Sequence, residues 1–233
     1  MQLERRRRHA AGIALNTLAT ARLYGILDLG YVAKADAVAV AHGMVEGGID
    51  VVQVRAKGFD VDSIARLVDS VLPIFRSAGI PLIVNDHPAL VRATGADGVH
   101  IGQDDMPVEE ARRLAGADAL IGLSTHSPDQ ARAAQGVDYI GFGPLFSTPT
   151  KPDYPAIGLQ DIAAVHRDVS IPIFCIGGIK QGNLDSVLSA GARRVVVVSG
   201  ILESSDIRGT IRDLLARLGS EKADAEGSTS RPD

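Results

Sequence analysis

A three-residue motif recurs four times, each time before a short apolar run. It consists of a glycine, a variable apolar residue and a charged residue. The copies are Gly48-Ile49-Asp50 before VVQVR, Gly95-Ala96-Asp97 before GVHIG, Gly136-Val137-Asp138 before YIGFG, and Gly191-Ala192-Arg193 before RVVVVSG. Each glycine follows an amphipathic helix candidate, at the position where a left-handed backbone is favoured. The apolar runs do not alternate with polar residues, which is typical of parallel strands buried on both faces.

Further apolar runs and helical patterns lie between these motifs, and together they make eight candidate strands and eight candidate helices. The strand candidates are Leu23–Leu29, Val51–Arg55, Leu82–Asp86, Gly98–Gly102, Leu120–Ser124, Tyr139–Phe142, Pro172–Ile176 and Arg194–Ser199. The helix candidates are Asp36–Glu46, Val61–Ser77, Pro88–Ala93, Val108–Leu114, Pro128–Ala134, Leu159–Arg167, Leu184–Ala190 and Asp206–Leu218. This alternation predicts an α/β fold, a single (β/α)₈ TIM barrel, whose sites lie at the carboxyl ends of the strands. An open doubly wound sheet is the alternative, and the lack of a GxGxxG motif after the first strand argues against it.

Composition changes at both ends of the chain. We expect residues 1–20 to form an N-terminal extension, which carries the arginines Arg5 to Arg8, and residues 21–219 to form the catalytic barrel. Residues 220–233 are small, polar and charged, so a disordered tail is expected there. No long apolar segment follows the arginines, which argues against a signal peptide.

Composition also argues against several classes of partner. A formal net charge of -4 provides no overall basic field, so we expect no nucleic-acid partner. No apolar run approaches the roughly 18 residues of a membrane span, so we expect no membrane insertion. Cys175 is the single cysteine, which rules out an intrachain disulfide and suits a reducing cytoplasm. The sequence leaves the oligomeric state open, including a homo-oligomer.

Three polar side chains stand at alternate positions at the end of the second predicted strand: Gln53, Arg55 and Lys57. Alternate residues of a strand share a face, so all three can point into the mouth of the barrel. An amide, a planar guanidinium and an ammonium together suit a polyanion attached to a hydrogen-bonding ring. The alternative is a polar rim without a ligand.

Carboxylates end the third and fourth predicted strands. Asp86 follows Asn85 at the end of the third strand, and Asp104 and Asp105 follow the fourth. With no HExxH motif in the chain, two carboxylates from neighbouring strand ends suit a hard cation such as Mg²⁺, which completes its shell with phosphate and water. We assign Asp86 and Asp105 as the metal pair. Helix capping is the alternative for either aspartate, above all for Asp104, because Pro107 suits the first turn of the next helix.

Two histidines and the cysteine lie on or just after predicted strands. The fifth strand ends at Ser124, and His126 is a candidate general base, although no carboxylate stands nearby in sequence to orient it. His100 lies in the middle of the fourth strand and is expected to pack in the core. Cys175 lies within an apolar strand and is expected to be a small core residue rather than a nucleophile.

Glycines and a serine end the last two predicted strands. Gly177 and Gly178 follow the seventh strand, and Val198 and Ser199 end the eighth. Consecutive glycines let backbone amides approach an anion closely, and the loops after strands seven and eight form the recurrent phosphate site of this fold. We therefore expect a phosphate cradle at Gly178 and Ser199.

A long loop runs from Gly141 to Gly158 and contains four prolines, two threonines and one lysine. Proline lowers the entropy that a loop loses on ordering, so Thr148, Thr150 and Lys151 form a candidate lid or anion clamp. A surface excursion is the alternative. The carboxylate pair with Arg55, Lys57 and Lys151 would make one anion station, and the cradle at Gly178 and Ser199 a second. Two stations suit two phosphorylated substrates, one bearing a metal-bound pyrophosphate.

Together these motifs resemble the thiamine-phosphate synthase family. The resemblance rests on Gln53-x-Arg55-x-Lys57, Asn85-Asp86, the run from His100 to Asp105, Ser124-x-His126, the Thr148-Pro-Thr-Lys-Pro152 loop, Ile176-Gly-Gly-Ile179 and Val198-Ser199. It extends from Leu23 to Leu218, and the loop makes it specific. It implies a transferase that condenses 4-amino-5-hydroxymethyl-2-methylpyrimidine diphosphate with a thiazole phosphate, giving thiamine phosphate and pyrophosphate.

The resemblance also implies a role for each site residue. The pyrimidine diphosphate would be held by Gln53, Arg55, Lys57, Asn85, Ser124 and Lys151, of which Arg55, Lys57 and Lys151 would be catalytic. Mg²⁺ would be held by Asp86 and Asp105, and the thiazole phosphate by Thr148, Thr150 and the backbone around Gly178, Val198 and Ser199. The two substrates would be the partners of a cytoplasmic enzyme of thiamine biosynthesis.

The chain departs from the family pattern at two positions, and two other functions stay open. Ala56 stands where many relatives carry an acid, and Ser147 stands where a proline is common. A TenI-like thiazole tautomerase shares the fold and a histidine near His126, but it releases no pyrophosphate, so Arg55, Lys57 and Lys151 argue against it. A non-catalytic sensor of thiamine phosphates would need the cradle but not the metal pair.

Overall fold

Eight parallel strands close into one barrel in the computed structural model, in sequence order, with the last strand pairing with the first. The structure describes residues 14–15, 17–148 and 155–227, with side chains up to residue 219. The strands are β1 (Leu23–Asp28), β2 (Val51–Arg55), β3 (Leu82–Asn85), β4 (Gly98–Ile101), β5 (Leu120–Thr125), β6 (Tyr139–Phe142), β7 (Ile173–Cys175) and β8 (Val195–Val197). The predicted (β/α)₈ TIM barrel is confirmed.

Helices alternate with the strands and pack around the barrel. They are α1 (Ala37–Gly47), α2 (Val61–Ser77), α3 (Pro88–Thr94), α4 (Val108–Ala115), α5 (Pro128–Ala133), α6 (Ile162–Asp168), α7 (Leu184–Ser189), α8 (Ser199–Leu202) and α9 (Ile207–Gly227). Short 3₁₀ turns at Lys34–Asp36 and Gln181–Asn183 precede α1 and α7. Helix α8 is an addition to the predicted set, since its 4 residues are too few to show a helical period.

The last helix is longer than predicted. It continues past Leu218, where we expected it to end, to Gly227, so its backbone enters the segment 220–233 that was assigned to a tail. The remainder of that segment and the arginines Arg5 to Arg8 lie outside the described residues. The division into extension, barrel and tail therefore stays a prediction. Within the described part of the chain, no helix combines the length and the apolarity that crossing a bilayer requires.

The strands contribute side chains to two separate apolar cores. Alternate residues of a strand point to opposite faces, so Leu27 packs between the barrel and the helices, whereas Tyr24, Ile83 and Phe174 fill the barrel interior. Leu18, ahead of β1, is fully buried with the interior set. Because both faces of each strand are covered, the strands appear in the sequence as continuous apolar runs rather than alternating ones.

The glycines of the recurrent motif end helices, as predicted. Gly48 follows α1 with φ of 88°, and Gly95 follows α3 with φ of 80°. Both values lie in the left-handed region, where a glycine carries no steric penalty from a β-carbon. The motif therefore marks the point at which the chain leaves the outer layer and turns back toward the barrel.

The aspartates of the motif fasten pairs of strands at their amino ends. In three copies, a carboxylate oxygen accepts a hydrogen bond from a backbone N–H of the first or second residue of the neighbouring strand. The bonds run from Leu23 to Asp50 (2.9 Å), from Leu82 to Asp97 (2.9 Å) and from Ile121 to Asp138 (2.8 Å). The fourth copy carries Arg193 in place of the aspartate. The motif thus sets the relative positions of β1 and β2, of β3 and β4, and of β5 and β6.

Gly98 in β4 has no room for a side chain, which makes it a test of barrel packing. A β-carbon added there would overlap the carbonyl oxygen of Leu120 and lie 2.6 Å from its Cβ. Gly98→Ala should therefore lower the free energy of unfolding by about 1–3 kcal/mol, the usual cost of overpacking, measured by urea denaturation. Gly182→Ala is the matched control, since nothing lies within 4 Å of its added β-carbon. Equal unfolding midpoints for the two variants would contradict this description of the barrel.

Candidate active site

A pocket opens at the carboxyl ends of the strands and contains most of the predicted substrate-binding residues. Of the residues assigned to the pyrimidine diphosphate, it is lined by Gln53, Arg55, Asn85 and Ser124. Of those assigned to the thiazole phosphate, it is lined by Thr148, Gly178, Val198 and Ser199. The predicted residues Thr150 and Lys151 lie outside the described residues.

Arg55 is held by the carboxylate of Asp28, which no sequence motif indicates. Its Nη1 donates to Asp28 Oδ2 at 2.5 Å, and the two residues are direct neighbours in the pairing of β1 with β2. The other carboxylate oxygen of Asp28 accepts from Gly30 N at 2.9 Å. The side chains of Asp28 and Arg55 are 1% and 13% exposed, so water screens the pair weakly. A guanidinium has five donors in a planar fork, so this bond fixes the plane of a group with further donors for a ligand anion.

The two predicted metal carboxylates lie together beside the pocket. Burial and the nearby charge of Asp105 raise the pKa of Asp86, and Lys57 opposes that shift. The Nζ of Lys57 lies 3.6 Å from Asp86 Oδ2, and Gly102 N donates to Asp105 Oδ2 at 2.6 Å. Asp86 has a φ of 61°, in the left-handed region that residues other than glycine adopt uncommonly.

This carboxylate pair fits a hard divalent cation. Burial and mutual repulsion disfavour two adjacent charged carboxylates, and a cation would relieve both effects. Mg²⁺ is commonly bound by one or two carboxylates, with substrate phosphates and water in the remaining positions. Among the described residues, no group of three or more His, Cys, Asp or Glu side chains is placed to hold a metal. A cation at Asp86 and Asp105 would therefore need oxygen ligands from a substrate or from water.

Hydrogen bonds connect Gln53 to Ser124 through the barrel interior. Gln53 Nε2 donates to the Tyr24 hydroxyl at 2.9 Å, and that hydroxyl lies 3.0 Å from the hydroxyl of Tyr139. His100 bridges the remaining gap, with Nδ1 at 3.2 Å from the Tyr139 hydroxyl and Nε2 at 3.0 Å from Ser124 Oγ. Burial raises the pKa of both tyrosine hydroxyls, so both stay protonated. His100 thus lines the pocket as a polar residue, and the expectation that it packs in the core is wrong.

His126 also lines the pocket, and its ring is anchored to the loop after β6. Its Nδ1 lies 2.5 Å from the carbonyl oxygen of Gly143, and because a carbonyl can only accept, Nδ1 carries the proton. The backbone N–H of His126 donates to Gln130 Oε1 at 2.7 Å. Cys175 is fully buried, and burial raises the pKa of its thiol to about 12, which confirms its expected place in the core.

Both described ends of the long loop are fastened beside the glycine pair that follows β7. The bonds run from Leu145 N to Ile176 O (2.8 Å), from Phe146 N to Gly177 O (3.1 Å) and from Ile157 N to Pro144 O (2.8 Å). Thr148, the last described residue before the gap, lines the pocket. The loop that carries Lys151 therefore leaves from and returns to the mouth of the pocket.

The glycine pair at the predicted phosphate cradle has positive φ values. Gly177 and Gly178 have φ values of 101° and 67°. A β-carbon added at Gly178 would lie 2.7 Å from the Cβ of Phe146, so the loop after β6 can approach this closely only because a glycine is present. Asn183 Nδ2 donates to Gly178 O at 3.0 Å. Helix α8 begins at Ser199 on the next strand end, and an extra short helix in this position accompanies phosphate sites in TIM barrels.

Comparison with known proteins places this chain in one family. A family model described as thiamine monophosphate synthase matches residues 23–201. A thiamine-phosphate synthase of Pelotomaculum thermopropionicum is 42% identical over 205 residues, which are 87% of this chain and 94% of that protein. One from Thermus thermophilus is 46% identical over 175 residues, or 74% of this chain and 84% of that protein. A solved thiamine phosphate pyrophosphorylase from Pyrococcus furiosus superposes with a TM-score of 0.79 at 29% identity, covering 87% of this chain and 98% of that chain.

The pair of Asp28 and Arg55 can be tested by removing its negative charge while keeping its shape. Asp28→Asn leaves a buried guanidinium without a counter-charge, so we expect a loss of about 3 kcal/mol in the free energy of unfolding, measured by urea denaturation. Asp129→Asn is the control, because Asp129 pairs with Arg132 at the surface with its side chain 95% exposed. Such exposed pairs contribute about 1 kcal/mol or less. A similar small loss in both variants would show that Asp28 does not hold Arg55.

Proposed function

Because the chain belongs to the thiamine monophosphate synthase family, we propose that it is a thiamine-phosphate synthase. It would join 4-amino-5-hydroxymethyl-2-methylpyrimidine diphosphate to a thiazole phosphate and release pyrophosphate. The observation that supports this best is the grouping of an anchored guanidinium, an ammonium and a carboxylate pair beside a pocket with a hydrogen-bonding wall. This arrangement suits a flat polar ring that carries a diphosphate.

We assign the pyrimidine diphosphate to the side of the pocket formed by β2, β3 and β5. Gln53 and Ser124 would hydrogen-bond the ring, and Asn85 would bind near the methylene carbon or the diphosphate. Arg55 and Lys57 would bind the diphosphate as catalytic residues, because charge collects on that group as it leaves. Asp28 would act through Arg55, by holding its guanidinium in the binding orientation.

Asp86 and Asp105 would hold Mg²⁺ in the complex with the diphosphate. When bound, the cation would neutralise part of the charge on the departing pyrophosphate. Lys57 would remain close to this group, since its ammonium lies 3.6 Å from Asp86 in the described structure. Dependence on Mg²⁺ is a proposal that rests on the chemistry of this carboxylate pair.

The thiazole phosphate would bind on the opposite side of the pocket. Its phosphate would contact the backbone at Gly178, Val198 and Ser199, where two strand ends and the start of α8 come together. Thr148 would reach the same phosphate from the long loop. By the family resemblance, Thr150 would join it and Lys151 would bind the pyrophosphate as a third catalytic residue, so closure of the loop would bring the two substrates together.

The reaction needs positioning and charge stabilisation more than a base. The bond between the methylene carbon and the diphosphate oxygen breaks, and both electrons leave with pyrophosphate. The amino group of the pyrimidine donates electron density to the methylene carbon, and the ring nitrogen of the thiazole then forms the new bond with its lone pair. No proton has to leave that nitrogen, so binding groups suffice. We place this biosynthetic activity in the cytoplasm.

The proposal predicts that the purified chain releases pyrophosphate and forms thiamine phosphate when both substrates and Mg²⁺ are present. Omitting either substrate should abolish release, because leaving-group departure and capture by the thiazole occur in one complex. Quantifying pyrophosphate and thiamine phosphate in the same reaction should give equal amounts. Isomerisation of the thiazole phosphate without pyrophosphate would indicate a TenI-like tautomerase. Binding of thiamine phosphate without turnover would indicate a sensor, and either result would overturn the proposal.

The metal assignment predicts a change in Mg²⁺ dependence when one carboxylate is lost. Asp86→Asn should raise the Mg²⁺ concentration needed for half-maximal pyrophosphate release by about tenfold or more, since one of two protein ligands is weakened. Asp129→Asn, which alters an exposed carboxylate outside the pocket, should leave that concentration unchanged. Superimposable Mg²⁺ titrations for the wild type and Asp86→Asn would refute the assignment.

A further inference from the structure

Five side chains in the pocket wall form one continuous hydrogen-bonded chain, called here the relay: Gln53, Tyr24, Tyr139, His100 and Ser124. The donor–acceptor distances along it run from 2.9 to 3.2 Å. Its members come from five different strands of the barrel. Its two ends, Gln53 and Ser124, are the residues assigned above to the pyrimidine ring. The sequence assigned none of the three middle members to a ligand.

Packing holds the relay in place. The ring of Phe174 stands edge-on to the rings of Tyr24 and Tyr139, with centroids 5.4 and 5.7 Å apart. On β5, a β-carbon added at Gly122 would overlap the Tyr139 ring and lie 2.5 Å from His100 Nδ1. The space beside Gly122 is therefore occupied by the contact between Tyr139 and His100. The rings have little room to turn, so each ring's polar atoms must find their hydrogen-bond partners in this one orientation.

Counting protons shows that the relay has a direction. Both tyrosines are protonated, so each hydroxyl in the middle donates to one neighbour and accepts from the other. When the Gln53 amide donates to Tyr24, Tyr24 must donate to Tyr139 and Tyr139 to His100 Nδ1. A neutral imidazole then carries its proton on Nε2 and donates it to Ser124 Oγ. The ligand in the pocket meets the carbonyl oxygen of Gln53, an acceptor, and the hydroxyl proton of Ser124, a donor.

The opposite direction presents the opposite pattern. If Ser124 donates to His100 Nε2, the imidazole carries its proton on Nδ1 and donates it to the Tyr139 hydroxyl. Tyr139 then donates to Tyr24, and Tyr24 donates to the amide oxygen of Gln53. The pocket would then meet an amide N–H at Gln53 and an oxygen lone pair at Ser124. One end cannot reverse without the other, because an intermediate arrangement leaves two donors or two acceptors facing each other in a buried site.

We propose that Tyr24, Tyr139 and His100 are positioning residues that couple the hydrogen-bond polarity of Gln53 to that of Ser124, and so select a 4-aminopyrimidine over a 4-oxopyrimidine. A 4-aminopyrimidine offers an amino donor and ring-nitrogen acceptors, which match the first direction. A 4-oxopyrimidine presents a carbonyl acceptor in place of the amino donor and so mismatches Gln53, while its N1 remains an acceptor and only N3 gains a proton. With Ser124 facing N1, turning Gln53 to suit the carbonyl reverses Ser124 as well and leaves its lone pair against the lone pair of N1. The identity of the ring rests on the proposed function; the coupling itself rests on the relay.

The test compares binding of the 4-amino pyrimidine diphosphate and its 4-oxo analogue by calorimetry, without thiazole phosphate. Tyr139→Phe removes the central hydroxyl and keeps the ring, so the ends can turn independently. We expect the ratio of the two dissociation constants to fall about tenfold, the factor that one ordinary hydrogen bond supplies. Tyr24→Phe cuts the relay at another point and should act in the same way. Thr125→Val is the control, because it removes a buried hydroxyl bond, 2.9 Å to Gly141 O, outside the relay.

Nitrogen-15 NMR of the His100 imidazole provides a readout that does not depend on activity. With the 4-aminopyrimidine diphosphate bound, His100 should be the Nε2–H tautomer, and Tyr139→Phe should shift the tautomer signal where Thr125→Val does not. An unchanged tautomer and an unchanged ratio of dissociation constants in Tyr139→Phe would overturn the inference. If the wild type binds neither pyrimidine, the proposed function fails, and the tautomer of the unliganded wild type against that of Tyr139→Phe still decides whether the relay is coupled.

Discussion

Closure of a parallel sheet is the constraint on which the site depends. Because the eight strands run in one direction around a barrel, all their carboxyl ends lie on one rim. Residues as distant in sequence as Asp28 and Ser199 therefore line the same pocket. The amino ends of the strands stabilise the barrel instead, because the motif aspartates Asp50, Asp97 and Asp138 hydrogen-bond to neighbouring strands there. Interactions that hold the barrel together and groups that bind ligands are thus placed at opposite ends of the strands.

The barrel interior changes from apolar to polar along strand β2. On β2, Val51 belongs to the apolar interior core, Gln53 joins the hydrogen-bonded wall, and Arg55 pairs with Asp28 nearest the rim. Buried polar groups are costly unless each finds a partner. The interior meets this requirement with internal bonds, so the same contacts that make polar groups tolerable in the core also set how they face a ligand.

Local patterns predicted the elements and much of the site. Glycine and aspartate at fixed positions marked the turns into the strands, and alternation along β2 placed Gln53 and Arg55 on one face of the strand. Asp28 escaped notice because its partner lies on another strand, and only the register of β1 with β2 brings the two together. Tyr24 and Tyr139 lie in apolar runs and therefore resemble core residues. Their polar role was not predicted, because a sequence does not show which hydroxyls meet across a barrel.

The length of helices was predicted less well than their existence. Helix α8 has no periodic pattern to recognise. Helix α9 continues through Gly219, because a single glycine within a helical pattern is tolerated and no proline lies between Leu218 and Gly227. His100 was misplaced for a related reason. A histidine within a strand is compatible with packing in the core, and its polar role depends on the space left by Gly122 on the neighbouring strand.

The most direct test of this account is a crystal structure with the 4-amino pyrimidine diphosphate and Mg²⁺ bound. We expect the ring to lie between Gln53 and Ser124, the diphosphate to lie against Arg55 and Lys57, and the cation to be bound by Asp86 and Asp105. A diphosphate seated instead at Gly178 and Ser199, with no cation on the two aspartates, would contradict it.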